Sequence, residues 1–261
     1  MNERQFAVAK KDFRGITSNK QVLAVMLIVP LALTVVLPTI LILTTYFSPE
    51  SASDFQKLID MLPISAGGDT RQMIIYLVIN KIMPAFFMII PIMASSVMAA
   101  SSFVGEKEKQ TLETLLYSPL SLKQLFVAKI FAAFAVGISV TYISFAAMLA
   151  ILQAEVFIIT GSLVAVEISW AVVLLLVSPS VSLIAIALTV RGSAKAQTVE
   201  QAQQSAVFLI FPIIALVISQ LAGIMILNTG ILLALGAVLA ALCAVLIKSS
   251  AKNFTYEKLL G

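Results

Sequence analysis

The sequence predicts an all-α membrane protein. It has six transmembrane helices, an N-terminal amphipathic helix at the interface, and both termini in the cytoplasm. Three observations carry that reading. The 261 residues are 60% hydrophobic and only 11% charged, where a soluble domain is about 25% charged. Too few polar groups remain to cover a soluble surface, and disorder needs the opposite composition. The apolar residues, with a mean hydropathy of +1.05, gather in runs long enough to cross a bilayer. The basic residues gather on one side of those runs.

The chain opens on a basic amphipathic stretch. Phe6, Ala9, Phe13 and Ile16 recur at helical spacing, with Arg4, Lys11 and Arg14 off that stripe. This is the pattern of a helix lying in the membrane surface; its competitor is a basic flank that only sets topology. Gly15 is placed to end the helix, and Ser18 with Gln21 to cap the next. The chain thus divides into an interfacial helix over 1–21 and a six-span domain over 22–261.

The spans follow in order as Val22 to Phe47, Met73 to Phe103, Leu125 to Leu152, Ile168 to Val190, Ala206 to Leu227 and Ile231 to Ile247. Each approaches or exceeds the roughly 20 apolar residues a spanning helix needs. Asn228-Thr229-Gly230 turns the fifth into the sixth. Val156 to Val166 is too short to span and reads as a re-entrant or interfacial piece. The runs are continuous and do not alternate, which argues against a barrel.

Charge sets the orientation. With the N-terminus inside, 14 of the 17 basic residues fall in cytoplasmic segments. Only Lys57 and Arg71 lie outside, together with Glu50, Asp54, Asp60, Asp69, Glu155 and Glu167. That asymmetry is the positive-inside pattern. The first apolar run is longer than a signal-peptide core and is expected to be retained.

Little chemistry is available within the spans. There is no histidine and one cysteine, Cys243, so neither a transition-metal site nor a disulfide framework is expected. Lys81 is the one clear charge inside a span. Near an outer end it either snorkels to headgroups or lines a cavity. Pro84 and Pro91 lie seven residues apart and either kink the second span around a transport path or are merely tolerated. Met83, Met88, Met93 and Met98 read as an adaptable cavity wall or as lipid-facing filler. Gly236, Ala240 and Ala244 permit close helix packing, within the chain rather than at a dimer seam.

The segment 104–124 is the informative cytoplasmic stretch. On a helix Glu106, Lys109 and Glu113 share a face, with Leu112, Leu115 and Leu116 in an apolar patch away from it. Pro119 stops that helix, and Ser121 with Gln124 is a capping box for the third span. The spacing fits both a solvated hairpin and a partner-docking element.

The run Phe103-Val-Gly-Glu-Lys-Glu-Lys-Gln-Thr-Leu-Glu-Thr-Leu-Leu-Tyr-Ser-Pro119, continuing to Lys129, resembles the signature of type-2 ATP-binding-cassette (ABC) transporter permeases. Glu106 and Glu108 match that family's acidic pair. Thr111, Leu112, Glu113, Leu115, Leu116 and Pro119 match its core, and Lys129 its final lysine; Gln110 and Ala128 stand where the family often has glycine. The N-terminal helix is similar to the family's interfacial helix, and residues 191–203 to its second cytoplasmic connection. Residues 254–260 are similar to its C-terminal ending, with Tyr256 in place of an arginine.

The resemblance implies a permease subunit, an exporter in the cytoplasmic membrane, working as a dimer (a homodimer is expected) with two separate ATP-binding subunits. It implies 104–124 as the ATPase-coupling segment, with Glu106, Lys109, Glu113 and Pro119 its marked residues. No catalytic residue and no cofactor is expected on this chain; ATP and Mg²⁺ belong to the partner. In agreement, none of the 11 glycines begins a phosphate-binding G-x-x-x-x-G-K-[ST] loop. The bilayer is the other expected partner, and nucleic acid is not one. A non-transporting structural or regulatory membrane protein is the alternative. An intramembrane enzyme is weaker, since the spans carry no histidine and no paired carboxylates. Substrate identity is left open among drug, peptide, lipid, glycan and Na⁺.

Overall fold

The computed structural model describes residues 3–18, 20–47, 70–108, 121–193 and 195–252. Among the described residues all regular structure is helical. We name the helices α1 (Glu3–Ser18), α2 (20–47), α3 (70–103), α4 (Gly105–Glu108), α5 (Leu122–Thr160), α6 (169–193), α7 (Val199–Val207), α8 (Ile210–Leu221) and α9 (Thr229–Lys252).

Four of these, within α3, α5, α6 and α9, are long and apolar enough to cross a membrane. The pair α7 and α8, bent by 41° at their junction, makes a fifth if it forms one broken span. In α2 the apolar helix over Ile28–Thr44 is shorter.

Proline explains the irregular stretches. α2, α3 and α6 each widen to π-helix, over Ala32–Val36, Val78–Ile82 and Val173–Val177. Pro38, Pro84 and Pro179 follow two residues after each. A proline has no N–H to donate and its ring clashes with the carbonyl four residues back, so the preceding turn opens. In α3 Met83 N–H reaches the Val78 carbonyl in the π pattern. The next bond, from residue 84 to Ile79, cannot form. Pro91 sits in the first turn after a break at Met88, where a missing N–H costs nothing.

Proline also breaks the predicted fifth span. The helix starts at Val199, with the Thr198 hydroxyl accepting from Gln201 N–H, well before the apolar run expected from Ala206. It breaks at Phe208–Leu209, where Pro212 crowds the Phe208 carbonyl, and ends at Leu221. Gly223 then takes a left-handed φ of 67°, a conformation that favours glycine.

α3 is the hub of the bundle. It is buried along nearly its whole length and packs against α5 and α6, whereas α9 leaves most of its surface exposed. Met83, Met88 and Met98 are fully buried in this core; they fill the protein interior and do not face lipid. Gly236 of α9 packs within the chain, its α-carbon facing the side chains of Leu176 and Val177.

Two further local expectations change. α1 runs through Gly15 to Ser18, because a helix tolerates an internal glycine at about 1 kcal/mol. α5 extends to Thr160, so residues 156–160 are helix. Gly161 caps it at φ 70° and residues 163–167 run back without regular structure. The Ser121–Gln124 capping box forms as predicted.

Candidate functional site

Along α3, Lys81, Met88, Ser95 and Ser102 repeat every seven residues, which places them on one face of the helix. Its three polar members each meet a different partner, and with an aromatic layer between they make four layers through the bundle.

The first layer, at the end of the bundle where α1 packs and termed inner for that reason, joins α1, α3, α4 and α5. The Lys129 ammonium, near the start of α5, bonds Glu106 Oε2 at 2.8 Å and the Ser102 carbonyl, and lies 3.8 Å from Asp12 Oδ2. The Ser102 hydroxyl donates to Asp12 Oδ2 at 2.5 Å. Glu106 Oε1 accepts from Lys11 at 2.9 Å. Asp12 and Lys11 belong to α1, so α1 is tied to the inner ends of α3 and α5 by charge. Lys129 also stands over the Phe103 ring, 5.5 Å from its centroid. Burial raises the Asp12 pKa above the ordinary aspartate value, against the opposing pull of Lys129 and the Ser102 hydroxyl.

The second layer is a close approach. Ser95 and Ser182 share a hydrogen bond of 2.5 Å between α3 and α6. Gly137 of α5 faces them; a β-carbon there would stand 1.9 Å from Ser95 Oγ. Three helices meet at the depth of one glycine.

The third layer is aromatic. Phe87, Phe145 and Trp170, from α3, α5 and α6, pack with ring centroids 5.1 to 5.9 Å apart.

The outer layer is again charged. Lys81 bonds both oxygens of Glu167 at 2.7 Å. Glu167 also accepts from the Tyr76 hydroxyl and from Ser169 at 3.2 Å. Burial pushes the Glu167 pKa up, but the Lys81 and Tyr76 hydrogen bonds outweigh it and hold the carboxyl below the ordinary glutamate value. Asn80 accepts from the Glu167 N–H and donates to the Ala165 carbonyl. The orphaned Ile79 carbonyl, left by Pro84, accepts from the Trp170 indole at 3.2 Å. Gln220 of α8 donates to the Lys81 carbonyl at 2.8 Å.

The residues singled out in the sequence are therefore distributed as follows. Glu106 is buried in the inner layer. Lys109, Glu113 and Pro119 lie outside the described residues, as do Glu50, Asp54, Asp60 and Asp69. Lys81 is buried, and its ammonium bonds both oxygens of Glu167. Pro84 shapes the outer layer by freeing a carbonyl, and both Pro84 and Pro91 are buried. Sequence reasoning passed over Asp12, Ser102, Asn80, Trp170 and the Ser95–Ser182 pair. A seven-residue spacing of polar residues inside an apolar run was the signal available for two of them.

The profile of a family described as "ABC-2 family transporter protein" matches residues 6–234 of this chain. No curated protein and no solved structure matches it.

Proposed function

The chain belongs to the ABC-2 transporter family, and from that membership we propose that it is the membrane-spanning permease subunit of an ABC exporter. Separate cytoplasmic ATPase subunits bind and hydrolyse ATP. That cycle drives two copies of the permease between inward-facing and outward-facing states in the cytoplasmic membrane. The proposed six spans, with 20–47 as the first and the bent 199–221 stretch as the fifth, leave both termini on the same side, taken as the cytoplasm. Basic residues concentrated on one side support that orientation. The exposed Phe6 and Phe13 of α1 suit a helix lying on the inner leaflet.

The observation that carries the coupling role is the inner layer. Glu106 and Lys129 flank the segment proposed to receive the ATPase, are bonded to each other, and hold α1 through Lys11 and Asp12. A push on the residues between them is therefore delivered to three helices at once, where a floppy linker would absorb it. Lys109 and Glu113 are proposed to meet the ATPase, with Pro119 ending the element; charge pairs there set register more than affinity.

The deciding experiment is purification of the full chain from its own membranes, with crosslinkers placed at 106–116. Recovery of an ATP-binding subunit linked to this segment supports the reading. Glu113→Lys should lower coupled ATP hydrolysis while leaving membrane insertion intact. Full coupling in that variant, with crosslinks only to lipid or to the permease itself, would overturn the assignment. Absence of any ATPase partner favours the non-transporting alternative.

A hydrophobic or amphipathic substrate suits the apolar, nearly charge-free spans best. A cleft of about 300 Å³ between α5, α6 and α9 is lined by apolar side chains alone, among them Phe126, Phe134 and Ile247. Vesicles that moved Na⁺ and ignored lipids, drugs and peptides would refute this choice.

A further inference from the structure

We propose that residues 161–168 form a strap across the outer end of the bundle, clasped shut by Asn80 and Lys81, and that its release is the outward-opening step of transport. The proposal rests on the permease reading for its function but on geometry for its mechanism.

The strap is held mainly by polar clasps, with Val164 its one hydrophobic side chain packed against the core. Leu163, Val166 and Ile168 point outward and are exposed, so they do not anchor it. Its backbone is instead gripped at both ends. Gln153 of α5 accepts from the Val164 N–H at 3.0 Å and donates to the Val164 carbonyl at 2.6 Å. Asn80 of α3 takes the Glu167 N–H at 2.9 Å and the Ala165 carbonyl at 3.0 Å. The Lys81–Glu167 pair completes the grip. Between the clasps the fit is loose. An open cleft of about 250 Å³ lies alongside, bordered by Gln72, Tyr76 and Thr160 on the helices and by Leu163 and Val164 on the strap. A segment secured by hydrogen bonds from Gln153, Asn80, Lys81 and Tyr76 can lift as a unit when those bonds break. A segment buried through its own hydrophobic residues could not do so without exposing them to water.

Beneath the strap lies the Phe87–Phe145–Trp170 layer, and Trp170 is three residues from Glu167. It ties the same π segment of α3 through the Ile79 carbonyl. Release of Glu167 thus loosens the connection that seats the indole between α3 and α5. Further inward on α6, Ser178 is fully buried, and its hydroxyl has no hydrogen-bond partner among the described residues.

The test uses the full chain in intact cells with Cys243→Ala and Ser178→Cys, probed by a membrane-impermeant maleimide. The closed strap should make labelling slow. The charge-free pair Lys81→Met with Glu167→Gln should speed it by at least about tenfold, the change expected when hydrogen bonds to a charged group leave the closed state. Asn80→Ala should do the same by a separate route. The exchanged pair Lys81→Glu with Glu167→Lys should restore protection. Equal labelling in all four overturns the proposal. So does an exchanged pair that labels as fast as the charge-free one. In each variant, Cys243 with Ser178 intact should stay unlabelled; its reaction would mean that the fold has loosened generally, which also overturns the proposal. With the ATPase present, ATP should raise Ser178→Cys labelling. If the clasp variants behave as expected and ATP has no effect, the clasp stands and the permease reading fails.

Discussion

Lys129 is the cation on which the inner layer balances, and its removal has a cost that follows from the geometry. Its side chain is 3% exposed, and the two carboxylates it serves, Asp12 and Glu106, are 7% and 10% exposed. At an effective dielectric of about 20, its gross attractions are roughly 6 kcal/mol to Glu106 and 4 kcal/mol to Asp12. Desolvation offsets much of that when the cluster forms, yet truncating one partner leaves the rest buried without compensation. Lys129→Met leaves two buried carboxylates facing each other, with the exposed Lys11 bonded to Glu106. The expected loss is about 3–5 kcal/mol, or on the order of 10 °C in Tm. The two acids should not behave alike. Burial already works against Asp12 ionisation, and Asn at that position still accepts from Ser102, so Asp12→Asn should cost under about 1 kcal/mol. Glu106→Gln removes the closer partner and should fall between. The triple variant Lys129→Met, Glu106→Gln, Asp12→Asn should recover much of the loss, because no charge is left buried. Cys243 is buried and the chain's one thiol, so a thiol-reactive dye reports unfolding of the reconstituted protein during a thermal ramp. If Asp12→Asn proved as damaging as Lys129→Met, or the triple variant were no better than Lys129→Met alone, the charge-balance reasoning would be wrong.

Three further outcomes are expected. Gly137→Ala should destabilise by about 1–3 kcal/mol, since its new methyl would stand 3.0 Å from Ser95 Cβ and 3.2 Å from Ser95 Cα even after the hydroxyl turns away. Ser95→Gly should rescue it better than Ser95→Ala, as read by the same thermal ramp; a neutral Gly137→Ala would refute the close approach. Trp170→Phe should keep the aromatic packing but return the Ile79 carbonyl to its orphan state, costing about 1–3 kcal/mol; substituting Pro84→Ala in the same chain supplies the missing N–H and should recover part of it. The two charged layers should respond to acid with opposite sign. Glu167 has a lowered pKa, so its contribution is full above about 4.5 and is lost as pH falls through the folded value. Asp12 has a raised pKa, so its penalty is full above the folded value and is relieved as pH falls through it. Tm measured against pH should lose the acid-side decline in Glu167→Gln, while Asp12→Asn should remove the opposing gain; parallel curves for both variants would contradict the assignment.

Much of this protein was written in local pattern. Composition alone demanded a membrane, since 11% charge cannot solvate a folded surface. Continuous apolar runs demanded helices, because a backbone in hydrocarbon must satisfy its own hydrogen bonds. The Ser121–Gln124 cap was legible because it is a contact between residues three apart. Family membership was legible in the order of Glu106, Glu113, Pro119 and Lys129. What local pattern lacked was partnership. Lys81 looked like a lone charge because Glu167 lies 86 residues away in sequence. Asp12 drew no reading from the sequence, because only the packing of α1 on α5 brings it to Lys129. Pro84 was visible as a kink, but the carbonyl it orphans acquires meaning only once the Trp170 indole arrives. A hydrogen bond or ion pair between distant residues has no local propensity to betray it. The cost of burying a charge falls on each residue separately, and only the packed bundle decides which opposite charge offsets it.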